Sequence, residues 1–215
     1  MRRHSAILAA LLLLAAAGCT PKPAIRPTAE PAAKVIAPGT RVLLLTPLVR
    51  FESMQSEAAL DDIAYDETVY ATRLRDAARA AAAGAGAAII ECGLPQAHAP
   101  TTAACGELAP HTLALSRGIV RPDAAAALAR VAAEPLGVLV LATACLGRLG
   151  PGGYYNANSG QIKAASASTV LSAALLGADG RAVWKNDVLL RAIPEATDES
   201  YREALELLFT AAPRP

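Results

Sequence analysis

Residues 169–190 read TVLSAALLGADGRAVWKNDVLL, two apolar runs on either side of an Asp179-Gly180 pair. An Asp-Gly pair between apolar runs signals a β-hairpin, because both residues tolerate the positive φ that tight turns demand. The expected strands run from about Ala164 to Ala178 and from Arg181 to Ile193, joined at Ala178-Asp179-Gly180. In the second run Val183, Lys185, Asp187 and Leu189 alternate roughly with Trp184, Asn186, Val188 and Leu190, so one face is partly wet. Just upstream, Gly137–Leu149 is apolar almost throughout, the pattern of a strand covered on both faces.

The same reading extends outward in both directions. After the hairpin, Tyr201, Leu205 and Leu208 share one face of an expected helix from about Thr197 to Ala211. Before the 137–149 strand, Pro122 opens a helix with Leu128, Val131 and Ala132 as its stripe, and Pro135 and Gly137 end it. A loop-rich segment with a helical turn near Glu107–Ser116 precedes it, and AAIIEC at 87–92 reads as a short strand. From about Glu57 to Ala83, Leu60, Ile63, Tyr70, Leu74 and Ala77 form a helical stripe, and Gly84 and Gly86 stop the helix. RVLLLTPL at 41–48 is the opening strand. The fold class is therefore α/β, a mixed β-sheet with helices packed on it. The order is β-α-β-(α)-α-β-β-β-α, ending in a hairpin and then a helix.

The N-terminus has a different character. Arg2 and Arg3 precede an apolar run from Ala6 to Ala17 that closes in Ala16-Ala17-Gly18-Cys19. Crossing a membrane takes about twenty apolar residues, so this run is a signal h-region and not a span. The ending resembles the bacterial lipobox, which implies cleavage before Cys19 and a diacylglycerol thioether on its sulfur. Residues 1–18 are then a signal peptide, 19–40 a lipid anchor and proline-rich linker, and 41–212 one globular domain. Thr20 occupies the place where an Asp would mark inner-membrane retention, which favours the periplasmic side of the outer membrane. As an extended chain, residues 20–40 would reach roughly 65 Å.

Losing Arg2 and Arg3 with the signal moves the net charge from +1 to −1. A near-neutral surface lacks the basic footprint of a nucleic-acid binder. In an oxidising compartment the cysteines carry weight. With Cys19 given to lipid, Cys92 and Cys105 enclose a short polar stretch suited to a disulfide. Cys145 lies in the apolar run GVLVLATACLG, as a buried thiol or as the substitute partner of either.

With the lipobox, the strand RVLLLTPL and the segment GVLVLATACLGRLG, the hairpin at 169–190 is similar to that of periplasmic lipoproteins of the CsgG-like curli-secretion and penicillin-binding-protein-activator group. Those proteins are non-catalytic and assemble pores or dock on envelope machinery, so the resemblance implies no catalytic residues. It departs at one point. A spanning strand needs about 9–11 alternating residues, whereas GPGGYYNANSGQIK at 150–163 is short and does not alternate, so a curli-type pore is not expected.

Sites for chemistry are sparse. Cys92, His98, Cys105 and His111 would suit tetrahedral zinc by type, but their spacings are not the short knuckles that preorganise such sites, so no metal is expected. Gly147–Gly153 matches no phosphate-binding loop, and Ser159 lies outside a G-x-S-x-G elbow. Asp61, Asp62, Asp66 and Glu67 read as a solvated, dipole-matched helix start. Trp184, the only tryptophan, is a core anchor or a partner-contact residue, and Tyr154 and Tyr155 in a glycine-rich tip are contact candidates. The expectation is a non-enzymatic, membrane-anchored lipoprotein without cofactor. It binds other envelope proteins and has a second copy of itself as a candidate partner. The alternative is a periplasmic small-molecule or metal-binding protein using the Cys92–His111 segment.

Overall fold

The computed structural model describes residues 24–26, 31–53, 60–92, 99–132, 138–149, 154–156, 161–163 and 167–210. Its centre is a seven-stranded mixed sheet. The strands are β1 (Ala24–Arg26), β2 (Arg41–Leu44), β3 (Leu48–Ser53), β4 (Ala88–Glu91), β5 (Val138–Leu149), β8 (Ala167–Leu176) and β9 (Ala182–Leu190). A separate two-stranded ribbon pairs β6 (Tyr154–Asn156) with β7 (Gln161–Lys163). The helices are α1 (Ala32–Val35), α2 (Leu60–Gly84), α3 (Ala99–Leu108), α4 (Thr112–Ser116), α5 (Pro122–Ala132) and α6 (Glu199–Thr210), with a 3-10 turn at Ala109–His111 between α3 and α4. Mixed sheet, late hairpin and closing helix are as the sequence predicts.

Across the sheet the order is β1-β9-β8-β5-β2-β4. β5 is antiparallel to β8 along its length, and on its other side it is parallel first to β2 and then to β3. RVLLLTPL is thus not one strand. Leu44 pairs with Leu141 and Leu48 with Ala144, so Leu45, Thr46 and Pro47 oppose only Ala142 and Thr143. This bulge falls at Pro47, which has no N–H to give to a ladder, and the strand resumes beyond it as far as Ser53.

Each face of the sheet carries a core. On one, Val42, Leu44, Leu141, Leu171, Leu175 and Val188 pack against Tyr70 and Leu74 of α2 and Tyr201 and Leu208 of α6. On the other, Leu43, Val140, Ala142 and Leu176 meet Leu108, Leu115, Leu128 and Val131 of α3, α4 and α5. Alternate residues of β2 and β5 supply the two cores, as the strand period of two requires. That double coverage explains why these strands read as unbroken apolar runs. The α2 stripe continues past Leu74 through Ala78 and Ala82, both buried. α2 then closes in a Schellman motif, with Gly86 N–H on Ala83 O, Ala87 N–H on Ala82 O and Gly86 at φ 74°.

Two expectations change. The segment of residues 19–40 is not a free linker throughout, because β1 pairs with β9 and Ala32 and Ile36 are buried in the first core. The folded unit therefore begins before residue 41. The loop-rich stretch before Val120 is largely helical, forming α3, the 3-10 turn and α4, with Leu108 and Leu115 fully buried. Its alanines, threonines and prolines show no clear period, and burial of these two leucines replaces amphipathic pattern as its support.

Candidate functional site

Cys19 and the signal sequence lie outside the described residues, so what the structure adds is the disposition of the remaining candidates. Cys92, just after β4, is joined to Cys105 of α3 with a Cα–Cα separation of 5.6 Å. This pins α3 against the end of the second-core layer. Both thiolates that a zinc set would need are thereby used. His98 lies outside the described residues, and His111 faces Asp123 at 3.4 Å across the start of α5. Among the described residues no group of three or more His, Cys, Asp or Glu side chains converges.

Cys145 remains free and fully buried in β5. Burial pushes its thiol up to about 12, against a smaller opposing hydrogen bond with Tyr201. Burial likewise pushes the Tyr201 phenol well above its usual range. The Tyr201 hydroxyl donates to Tyr70 O at 3.4 Å, and the Tyr70 hydroxyl donates to Pro194 O. The Tyr70 ring meets those of Phe51 and Tyr201 edge to face, with centroids 4.9 Å apart in both cases. This network joins β3, β5, α2 and α6. At neutral pH its groups are neutral and face inward, so it offers neither a thiolate nucleophile nor a general base. Both tyrosines lie in helix stripes legible in the sequence, but nothing in a stripe says that their hydroxyls need partners inside the core.

Trp184 takes the anchor role. It is 5% exposed, and its ring stacks on Phe209 of α6 with centroids 6.3 Å apart. The contact role considered for it is thus not available on the folded surface. Next along β9, Asn186 was not singled out by sequence, yet it is buried. Its side-chain amide donates to Leu207 O at 3.2 Å and to Leu208 O at 2.9 Å, and its Oδ1 accepts from Asp187 N–H at 3.0 Å. Tyr154 and Tyr155 have their backbone in β6, paired with Lys163 and Ile162. Their side chains lie outside the described residues.

The surface at the β9 side is different in kind. Val183, Lys185 and Arg191 are exposed, and β1 covers only the stretch of β9 from Asp187 to Leu189. Ile119 and Val183, 56% and 48% exposed, are large apolar side chains at this end of the molecule, where the 118–120 loop meets the hairpin. At the opposite edge, Arg79 of α2 donates to both carboxylate oxygens of Glu91 on β4, at 2.6 and 2.9 Å. Hydrogen bonds from this guanidinium lower the Glu91 carboxyl below its usual range. Among the described residues, no helix is long and apolar enough to cross a membrane.

No protein-family model matches the chain, and no curated protein matches it. Among solved structures it is similar to a point-substituted PelC dodecamer of Paraburkholderia phytofirmans, at 15% identity and a TM-score of 0.30, covering 86% of this chain and 92% of that one. A second PelC dodecamer structure from the same organism gives 15% identity and 0.30, covering 89% and 99%. A neuraminyllactose-binding hemagglutinin homolog of Helicobacter pylori gives 10% identity and 0.31, covering 85% of each chain.

Proposed function

We propose that this chain is a non-catalytic lipoprotein of the bacterial envelope. It is anchored through Cys19 on the periplasmic side of a membrane, the outer membrane being favoured, and acts by binding other envelope proteins in an assembly or secretion-accessory role. The observation that carries the reading is the order Arg2-Arg3, apolar run, Ala16-Ala17-Gly18-Cys19 at the N-terminus. The similarity of the 169–190 hairpin to that of CsgG-like lipoproteins supports it. So does the way these buried polar groups are used to hold helices to the sheet: Cys145 lies against Tyr201, and Tyr201, Tyr70 and Asn186 donate to backbone carbonyls.

Metabolic labelling with a palmitate analogue tests the anchor. Wild-type protein takes the label and Cys19→Ala does not; an unlabelled wild type, or equal labelling of the two, removes the reading. Cross-linking in intact cells followed by purification tests the second half. Recovery of a defined envelope protein supports it. A bound small molecule or stoichiometric metal in place of a protein partner would favour a periplasmic binding protein instead.

A further inference from the structure

We infer that the β1–β9 edge of the sheet is the membrane-facing surface of the protein, held against the lipid headgroups by a tether of only five residues. The inference rests on the lipid-anchor reading of Cys19 and deepens it. Ala24 pairs with Leu189, Ile25 with Val188 and Arg26 with Asp187, so the chain is fixed to the sheet edge soon after its anchor point. A chain spans at most about 3.6 Å per residue, so Ala24 stands no more than about 18 Å from the acylated residue. Were β1 undocked, the next fixed residue would be Ala32, buried beneath α2, and the limit would rise to about 47 Å. β1 thus takes up most of the slack that the proline-rich segment would otherwise provide.

The occupant of this edge follows from where the tether ends. β4, the other edge, lies five strand spacings from β1 along β1-β9-β8-β5-β2-β4, about 24 Å at roughly 4.8 Å each. The tether is shorter than that distance, so the domain cannot turn its β4 edge to the bilayer while β1 stays paired. Exposed cations lie at or beside the near edge, Lys34 on α1 and Lys185 and Arg191 on and after β9, with the half-buried Asp187 as the acid among them. This balance suits phosphate-bearing headgroups.

The test uses the full-length acylated protein in vesicles of phosphatidylethanolamine and phosphatidylglycerol, with a nitroxide quencher on a fraction of the headgroups. A fluorophore is attached to Arg191→Cys at the near edge or to Ala88→Cys at the far edge. Both sites are exposed, Cys145 is buried and the other two cysteines of the domain are bridged, so labelling is selective. Strong quenching at Arg191→Cys with loss of quenching at Ala88→Cys is expected. Equal quenching, or stronger quenching at Ala88→Cys, overturns the orientation. A long Gly-Ser insert between Lys22 and Pro23 is expected to bring the Arg191→Cys signal down to the Ala88→Cys level, and an asymmetry that survives the insert overturns the role of the tether. The intact mass of the protein reports acylation independently. An unacylated wild type removes the anchor reading together with this inference, whereas an acylated protein without asymmetry removes this inference alone.

Discussion

Phe51 of β3 lies directly across the ladder from Gly147 of β5, and its ring fills the space where a side chain at 147 would begin. A β-carbon there would meet Phe51 Cδ1 at 2.1 Å and Cε1 at 2.5 Å. The ring cannot swing away cheaply, because it is 4% exposed and lies edge-on to Tyr70. Gly147→Ala is therefore expected to destabilise the fold by about 1–3 kcal/mol through overpacking. Urea denaturation checks it as a lower midpoint at unchanged slope. Adding Phe51→Leu should cost less in the Gly147→Ala background than in wild type, since the two sites are coupled.

Asn186 closes the C-terminal end of α6 from the sheet side. The last four carbonyls of a helix have no partner within it, and Asn186 serves those of Leu207 and Leu208. Asn186→Ala leaves these buried acceptors short of a donor and should cost about 1–3 kcal/mol. Lys185→Ala, one residue away on the exposed face, should stay within about 0.5 kcal/mol of wild type. Equal effects of the two substitutions would show that the cap contributes nothing.

Alkali should weaken the fold from about pH 9 upward. An unfolded chain releases the Cys145 proton near the ordinary 9.0, while the folded protein keeps it to about 12. Between those values the folded state binds more protons, so stability falls as pH rises. Tyr201 adds a loss of the same sign above its ordinary 10.0. Denaturation midpoints across this range should slope downward, and Cys145→Ala should remove the onset between pH 9 and 10 and leave a shallower decline above it, the part owed to Tyr201. An onset identical in the variant would assign the loss to other groups.

Reducing the Cys92–Cys105 bridge, which closes a loop spanning a sequence separation of 13, should cost roughly 3 kcal/mol. The comparison is of denaturation midpoints with and without dithiothreitol, with a Cys92→Ser/Cys105→Ser variant as a control insensitive to the reductant. Peptide mapping without reduction should recover this bridge and leave Cys145 as a free thiol. A Cys92–Cys145 or Cys105–Cys145 peptide would mean that β5 receives the bridge in place of the β4–α3 tie.

What the sequence makes legible is local chemistry. The Asp179-Gly180 turn is one case: Gly177 N–H reaches Arg181 O at 2.9 Å, Gly180 takes φ 74° and Asp179 Oδ1 accepts from Arg181 N–H at 3.0 Å. The helix stop at Gly86 and the start at Pro122 are others. What stays hidden depends on partners far along the chain. Nothing near Pro47 says that the strand resumes against the second half of β5, and nothing in Ala24–Arg26 names β9 as its mate. Among the site residues, Asn186 looks like any polar residue on a half-wet strand until α6 is laid over it. The lipid signal is the reverse case, plain in the sequence and outside the described residues.

The placement of β5 also governs the order in which the fold can be completed. β5, β8 and β9 are consecutive main-sheet neighbours and can form a meander from their own turns. β2 can pair with β4 early, but on its other side it must wait for β5, since Arg41 finds Val138 only after most of the chain has been made, and β1 must wait for Leu189 near the very end. Contacts of such high sequence separation form slowly, because loop closure must precede any gain from pairing. β1, the first strand to be synthesised, is thus among the last to be paired, and β2 is sheltered on one side before the other. A nascent or C-terminally truncated chain that lacks β5 leaves β2 with β4 alone as its neighbour, its other edge open to proteolysis and to pairing with other chains.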